Sequence, residues 1–245
     1  MSRRRNLVLL WPLALLVIAT FCELGVWQLG RMHQKQAMLA AVQQVLQERH
    51  ARPLAIAADP ARARGYDWAG DSGHFVDAPA VLLDNQQFND RSGVRAYRVF
   101  QPAAPGAAPL LVELGWLPLP GDRRLPLVAR PPGELRIAGL LAPLPSHGIM
   151  AAVAIPQPDG QLLATGLDAA DLRIKLRQLR LAPRVLKLDP NARLGYARDL
   201  DILPNTIPPE RHLGYAVQWF ALALAVLATA LLLTFRKPKP GRTTQ

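Results

Sequence analysis

Apolar residues run almost unbroken at both ends of the chain and are interrupted everywhere between. One apolar stretch begins at Leu7 and reaches Leu29; the other runs from Leu213 to Phe235. About 20 apolar residues in a helix cross the hydrocarbon core of a bilayer. The second stretch carries no charged residue and stops at Arg236-Lys237. The first is free of charge from Leu7 to Cys22, then meets Glu23. Glu23 would lie near the far edge of the membrane, where a carboxylate costs less than at the centre. Pro12 falls in the first turns, where a helix tolerates it best. The pattern predicts a cytoplasmic tail over 1–6, a transmembrane helix over 7–29 and an extracytoplasmic domain over 30–211. A second transmembrane helix over 212–235 and a cytoplasmic tail over 236–245 complete it.

The middle of the chain reads differently. Met38, Leu39, Val42, Val45 and Leu46 recur at helical spacing, so Met32–His50 is predicted to continue the first membrane helix outward. Pro53 and Asp59-Pro60 end it. Short apolar or alternating runs then predict strands at His74–Asp77, Ala80–Asp84, Tyr97–Gln101, Leu110–Leu114, Leu135–Leu141 and Leu186–Leu188. Asn89-Asp90-Arg91-Ser92-Gly93 reads as a hairpin turn, and Pro102–Pro109 and Pro118–Pro132 as proline-rich connections. Leu167–Leu181 predicts one short amphipathic helix. The fold class is therefore an α+β membrane protein: two terminal transmembrane helices flank a mainly antiparallel β domain, either an open sheet or a small barrel, with short helices.

Charge sets the expected orientation. Arg3, Arg4 and Arg5 precede the first span, and Arg236, Lys237, Lys239 and Arg242 follow the second. Positive charge beside short loops favours the cytoplasmic side, which places both termini in the cytoplasm and the centre outside it. Arginine outnumbers lysine and no amphipathic transit segment precedes the first span, so the compartment expected is a bacterial inner membrane with a periplasmic domain. A cleaved signal peptide would need a small-x-small motif, which is missing, and a lipoprotein signal would need a small residue where Phe21 precedes Cys22. The net charge of +11 could suggest nucleic acid. Its topological share and the scattered, aromatic-free arginines of the middle favour a solvated face near anionic lipid instead. A single cysteine excludes an internal disulfide and cysteine-rich metal frameworks.

The chain offers little for catalysis. Ser72, Ser92 and Ser146 form no nucleophile elbow. No paired histidines have zinc spacing, and no glycine-rich phosphate loop is present. Asp189, Asp199 and Asp201 read as solvated loop acids, and His74 and His147 as surface or satisfied histidines. The expectation is that the protein is not an enzyme.

The dense information lies at the membrane junctions. Glu23-Leu24-Gly25-Val26-Trp27-Gln28-Leu29-Gly30-Arg31 leaves the first span, and His212-Leu213-Gly214-Tyr215-Ala216-Val217-Gln218-Trp219-Phe220 enters the second. Trp27, Tyr215 and Trp219 suit an interfacial aromatic belt. His212, Tyr215 and Trp219 also share a helix face. Gly25, Gly30, Gly214 and Ala216 could let the helices approach, and Gln28 and Gln218 would prefer partners inside the protein. Such a face could receive a flat apolar cofactor with His212 on its iron; an interfacial histidine equally needs no function.

These segments resemble the Surfeit-locus cytochrome c oxidase assembly proteins. Four blocks carry the resemblance: Leu24-Gly25-Val26-Trp27-Gln28-Leu29-x-Arg31 with Lys35; Val81-Leu82-Leu83-Asp84-Asn85 with Gly93 and Tyr97-Arg98-Val99; Gly115-Trp116-Leu117-Pro118 with Arg124 and Leu125-Pro126; and the block from His212 to Phe220. The resemblance implies an assembly factor that aids delivery of haem a to subunit I of a haem-copper oxidase. It implies His212 as ligand to haem iron; Tyr215, Trp219, Trp27 and Gln28 are the further contacts expected for a macrocycle held between the two spans. Gly25, Trp27, Gly115 and Trp116 would be structural signature residues. Partners implied are the lipid bilayer, oxidase subunit I and a haem a synthase, with no nucleic acid. The chain departs from the family pattern at Glu113-Leu114, where many members carry Asn-Arg, and at Gln34, where many carry an aromatic residue. The alternative is a membrane-tethered scaffold that binds oxidase subunits without binding haem.

Overall fold

The computed structural model describes residues 3–145, 152–203 and 206–236. Ser146, His147 and the tail residues Lys237, Lys239 and Arg242 lie outside them. The chain divides into two compact units: residues 1–38 with 207–245, and residues 39–206.

The first unit is a helix pair. Helix α1 runs from Arg3 to Glu48, so the predicted outward extension of the first span is present as one continuous helix. Its last ten residues belong to the second unit. The final helix, which we number α3, spans Pro209–Phe235. Both are long and apolar enough to cross a membrane. They run antiparallel, tied near one end by a hydrogen bond from Trp11 Nε1 to Thr234 Oγ1 at 3.1 Å. Midway, the rings of Phe21 and Trp219 meet at 5.5 Å. Gly25 is buried because the Phe220 ring occupies the space a side chain would take; a Cβ there would lie 2.7 Å from it. Gly30 and Gly214, expected to help the approach, play no such part: a Cβ on either would meet nothing within 4 Å. Lipid tails are as apolar as leucine, so small residues and polar ties carry helix association here.

The second unit is built, among the described residues, on eight strands: β1 (Asp67–Phe75), β2 (Val81–Phe88), β3 (Arg91–Pro102), β4 (Leu110–Pro118), β5 (Glu134–Pro143), β6 (Ala154–Pro156), β7 (Leu162–Ala164) and β8 (Arg184–Leu188). Helix α2 spans Ala169–Lys175, a shorter helix than the 167–181 expected. Its start is set by Asp168, whose carboxylate accepts from the Asp171 N–H at 2.8 Å. The sheet order is β1-β5-β8-β4-β3-β2-β7-β6, and β1 pairs again with β3 through Gly73–Phe75 against Phe100–Pro102. That last pairing closes a five-strand ring, β1-β5-β8-β4-β3, so the small barrel rather than the open sheet is formed. Strand β3 serves two neighbours on one edge because it is 12 residues long: Arg91–Tyr97 takes β2, and Phe100–Pro102 takes β1.

Most pairings are antiparallel, as expected, but β4–β8 and β2–β7 are parallel. Strands β6 and β7 are three residues each and leave no readable alternation in the sequence. The predicted turn after β2 is present, with Asn89 and Asp90 both at positive φ (49° and 58°), the geometry of a tight two-residue hairpin. The barrel interior is filled by Val94, Ala96, Phe100, Leu110, Val112, Leu114, Leu141 and Leu186 among others. A second cluster joins Tyr97, Val99, Leu111 and Val185 to Leu172 and Leu176 of the α2 region. Val42 at the end of α1 packs with Trp68 and Leu140.

Candidate functional site

The helix pair brings two of the five expected site residues into direct contact. His212 completes the first turn of α3, and Gln28 lies on the face of α1 that also carries Gly25 and Met32. His212 Nδ1 and Gln28 Oε1 are 2.7 Å apart across 184 residues of sequence. A carbonyl oxygen can only accept, so Nδ1 carries the proton and a neutral ring keeps its lone pair on Nε2. The ring is 6% exposed, and Nε2 is buried with no hydrogen-bond partner among the described residues. A buried acceptor without a donor is costly and rare. A histidine fixed through one nitrogen and bare at the other is the arrangement that metal-ligating histidines adopt.

The other three expected residues are spread around that centre. Trp219 is half-buried against Phe21. Tyr215 (40% exposed) and Trp27 (55% exposed) lie on outward flanks, where they suit an interfacial belt. The buried positions of α3 are Pro209, His212, Ala216 and Ala223, so the packed face passes through Ala216 and leaves Tyr215 at its margin. Gln218, expected to seek an internal partner, is exposed. Among the described residues no group of three or more histidine, cysteine, aspartate or glutamate side chains could hold a bare metal ion. A metal already held within a macrocycle would ask less of the protein, one axial imidazole being enough.

The barrel unit holds a second constellation that sequence reasoning missed. On its outer face Glu113 of β4 accepts from Arg95 of β3 at 2.5 Å and from Lys187 of β8 at 2.9 Å. The Tyr97 hydroxyl donates to its other oxygen at 3.1 Å. Arg95 reaches on to Asp199 at 3.3 Å, so that loop acid, its side chain still 37% exposed, also has an ion-pair partner. Arg95 and Glu113 are each 2% exposed. Burial pushes the Glu113 carboxyl up, but Lys187 and Arg95 outweigh it and hold the group below its ordinary 4.5. Burial, reinforced by Glu113, keeps the Tyr97 hydroxyl well above its ordinary 10.0. Two cations against two carboxylates leave the cluster neutral. A signal for it existed: residues 110–114 and 185–188 are apolar runs carrying one acid and one lysine, and a charge in a strand buried on both faces requires a partner of opposite sign.

The signature positions of the third block have structural work beside this cluster. Between Ala96 and Tyr97 the β3–β4 register shifts. Gly115 sits at φ +122°, and a Cβ there would meet the Ala197 carbonyl at 2.7 Å. The chain after β8 returns to the same edge of β4, with Tyr196 N donating to Leu114 O at 2.7 Å and Trp116 N to Ala197 O at 2.6 Å. Arg198 clamps that return by donating to the carbonyls of Asp189, Ala192, Leu194, Tyr196 and Leu114. Trp116 donates its indole N–H to Gln86 O at 3.0 Å and lies 5.6 Å from Phe88.

Two membrane-length helices with a polar crossing, flanking a closed barrel domain, define a multi-pass membrane protein with a central extracytoplasmic domain. The chain belongs to the SURF1 family, whose sequence pattern matches residues 15–224. No curated protein matches the chain. SURF1 proteins are non-catalytic assembly factors of cytochrome c oxidase that act in haem a delivery, and membership gives this chain that role.

Proposed function

We propose that the helix pair is where this assembly factor holds haem a before surrendering it to oxidase subunit I. The cargo's iron would take the Nε2 lone pair of His212, with Gln28 fixing the ring through Nδ1. Trp219, Tyr215 and Trp27 would flank the apolar plate. The observation that carries this reading is the His212–Gln28 pair, which leaves a buried, unpartnered acceptor facing no donor among the described residues. One axial histidine suits a carrier, since the ligand must also be released. Because Nε2 is shut off from solvent, loading requires the helix ends to part or the ring to swing, and shielding of the macrocycle by apolar side chains supplies binding energy at about 25 cal/mol per Å².

The site lies at the end of the helix pair opposite the arginine-rich tails. With both tails in the cytoplasm of a bacterium, it faces the periplasmic side of the inner membrane, in the barrel's compartment. A haem a synthase is the natural donor and subunit I the recipient. Full-length protein purified from cells that make haem a should show a haem absorption spectrum, and His212→Ala should abolish it. An unchanged spectrum in that variant would refute the assignment.

The closure of Nε2 favours a second reading, in which the helices and barrel bind oxidase subunits without haem. A haem-free His212→Ala protein that still supports full oxidase assembly would select it.

A further inference from the structure

Two cations without carboxylates stand at the mouth of this site. Arg31 and Lys35 follow Gln28 by three and seven residues, so they continue the face of α1 that carries the histidine contact. Arg31 Nη1 donates to Gln34 Oε1 at 2.9 Å. Lys35 Nζ donates to the Ile207 carbonyl, two residues before α3 begins. Among the described residues neither cation enters an ion pair; each spends its donors on a neutral oxygen. Helix α3 begins at Pro209 without a side-chain cap, so the N–H groups of its first turn add partial positive charge at the same end. Glu210, in that first turn, is the acid nearest in sequence to His212, and it is exposed.

We infer that Arg31 and Lys35 receive the anionic groups of an amphiphilic ligand whose apolar body lies against the helix pair, which for a porphyrin cargo means its two propionate carboxylates. The two cations are four residues apart, roughly 6 Å along the helix axis, so one ligand can engage both at once. The site then has three ordered contacts: an acceptor for the metal, apolar side chains for the ring, and cations for the carboxylates at the water boundary. Orientation follows from this, because the acidic edge can only face outward. The inference rests on the porphyrin reading of His212.

Full-length protein in detergent is titrated with ferric protoporphyrin IX and with its dimethyl ester, which lacks the charges. The free diacid should bind at least about tenfold more tightly than the ester, a difference of about 1.4 kcal/mol. Arg31→Gln/Lys35→Gln should erase that preference by weakening the diacid alone, with ester affinity and the histidine-ligated spectrum retained. Arg31→Lys/Lys35→Arg should keep the preference. Equal binding of acid and ester by the unaltered protein would overturn the inference while leaving the His212 reading in place. If neither porphyrin binds, both the inference and the His212 reading fall. If the double glutamine variant changed only its binding to phosphatidylglycerol vesicles, the cations would serve lipid phosphate and the inference would fall.

Discussion

Glu113 sits between Lys187 and Arg95 on adjacent strands, and replacing it separates charge pairing from packing. Glu113→Gln keeps shape and an acceptor but leaves two buried cations against Asp199 alone. Breaking a buried pair in this way costs about 3–5 kcal/mol, which chemical denaturation of the full chain in detergent would read. The folded-state acid is held below 4.5, so its contribution is complete above that value and is lost as pH falls through the lower one. Tyr97 acts in the opposite sense: its neutral hydroxyl stabilises below pH 10.0, and that contribution is lost as pH rises beyond it. Melting temperature should therefore hold a plateau between these limits, and Glu113→Gln should flatten its acid limb. The acid is visible in the sequence as a charge inside an apolar run. Its partners are not, because they lie 18 and 74 residues away on strands whose order no local pattern dictates. His212 is legible for another reason: a histidine at the boundary of an apolar span is conspicuous, and the antiparallel return of two spans limits what it can meet.

At the scale of elements, the membrane helices are the most readable part, since hydrocarbon demands an unbroken apolar run. The outward continuation of α1 is readable from its 3.6-residue period. Strands β6 and β7 are not, because three residues cannot display alternation. Parallel pairing of β4 with β8 is equally hidden; it depends on the return path of the chain rather than on either strand. Of the four small residues expected where α1 and α3 approach, Gly25 and Ala216 lie on packed faces, whereas Gly30 and Gly214 meet nothing. Gly25→Leu should drive the Phe220 ring aside and cost about 1–3 kcal/mol, as overpacking does. The drop in melting temperature should be largely restored by adding Phe220→Ala, and the single variant should lose haem along with the His212–Gln28 contact.

For the whole molecule, the direction of insertion decides whether the site can work. Placing the arginine-rich ends in the cytoplasm puts the barrel and the histidine end on the far side. A reporter active only outside the cytoplasm, fused within the exposed loop around Asp122, should therefore be active, whereas one fused after Arg236 should be silent. The reverse pattern would remove the proposed cargo site from the periplasmic face. Composition alone does not suggest this orientation, because a net charge of +11 is compatible with several partners; the expectation rests on the placement of charge beside the spans.

Strand β8 is last in the chain yet lies between β4 and β5, in the middle of the ring. During synthesis the strands before it must emerge and wait, with two edges exposed, until residues 184–188 arrive to be threaded between them. Folding of this unit is thus withheld until almost all of it has been exported, and premature termination anywhere before that point yields an open, adhesive sheet rather than a smaller working product.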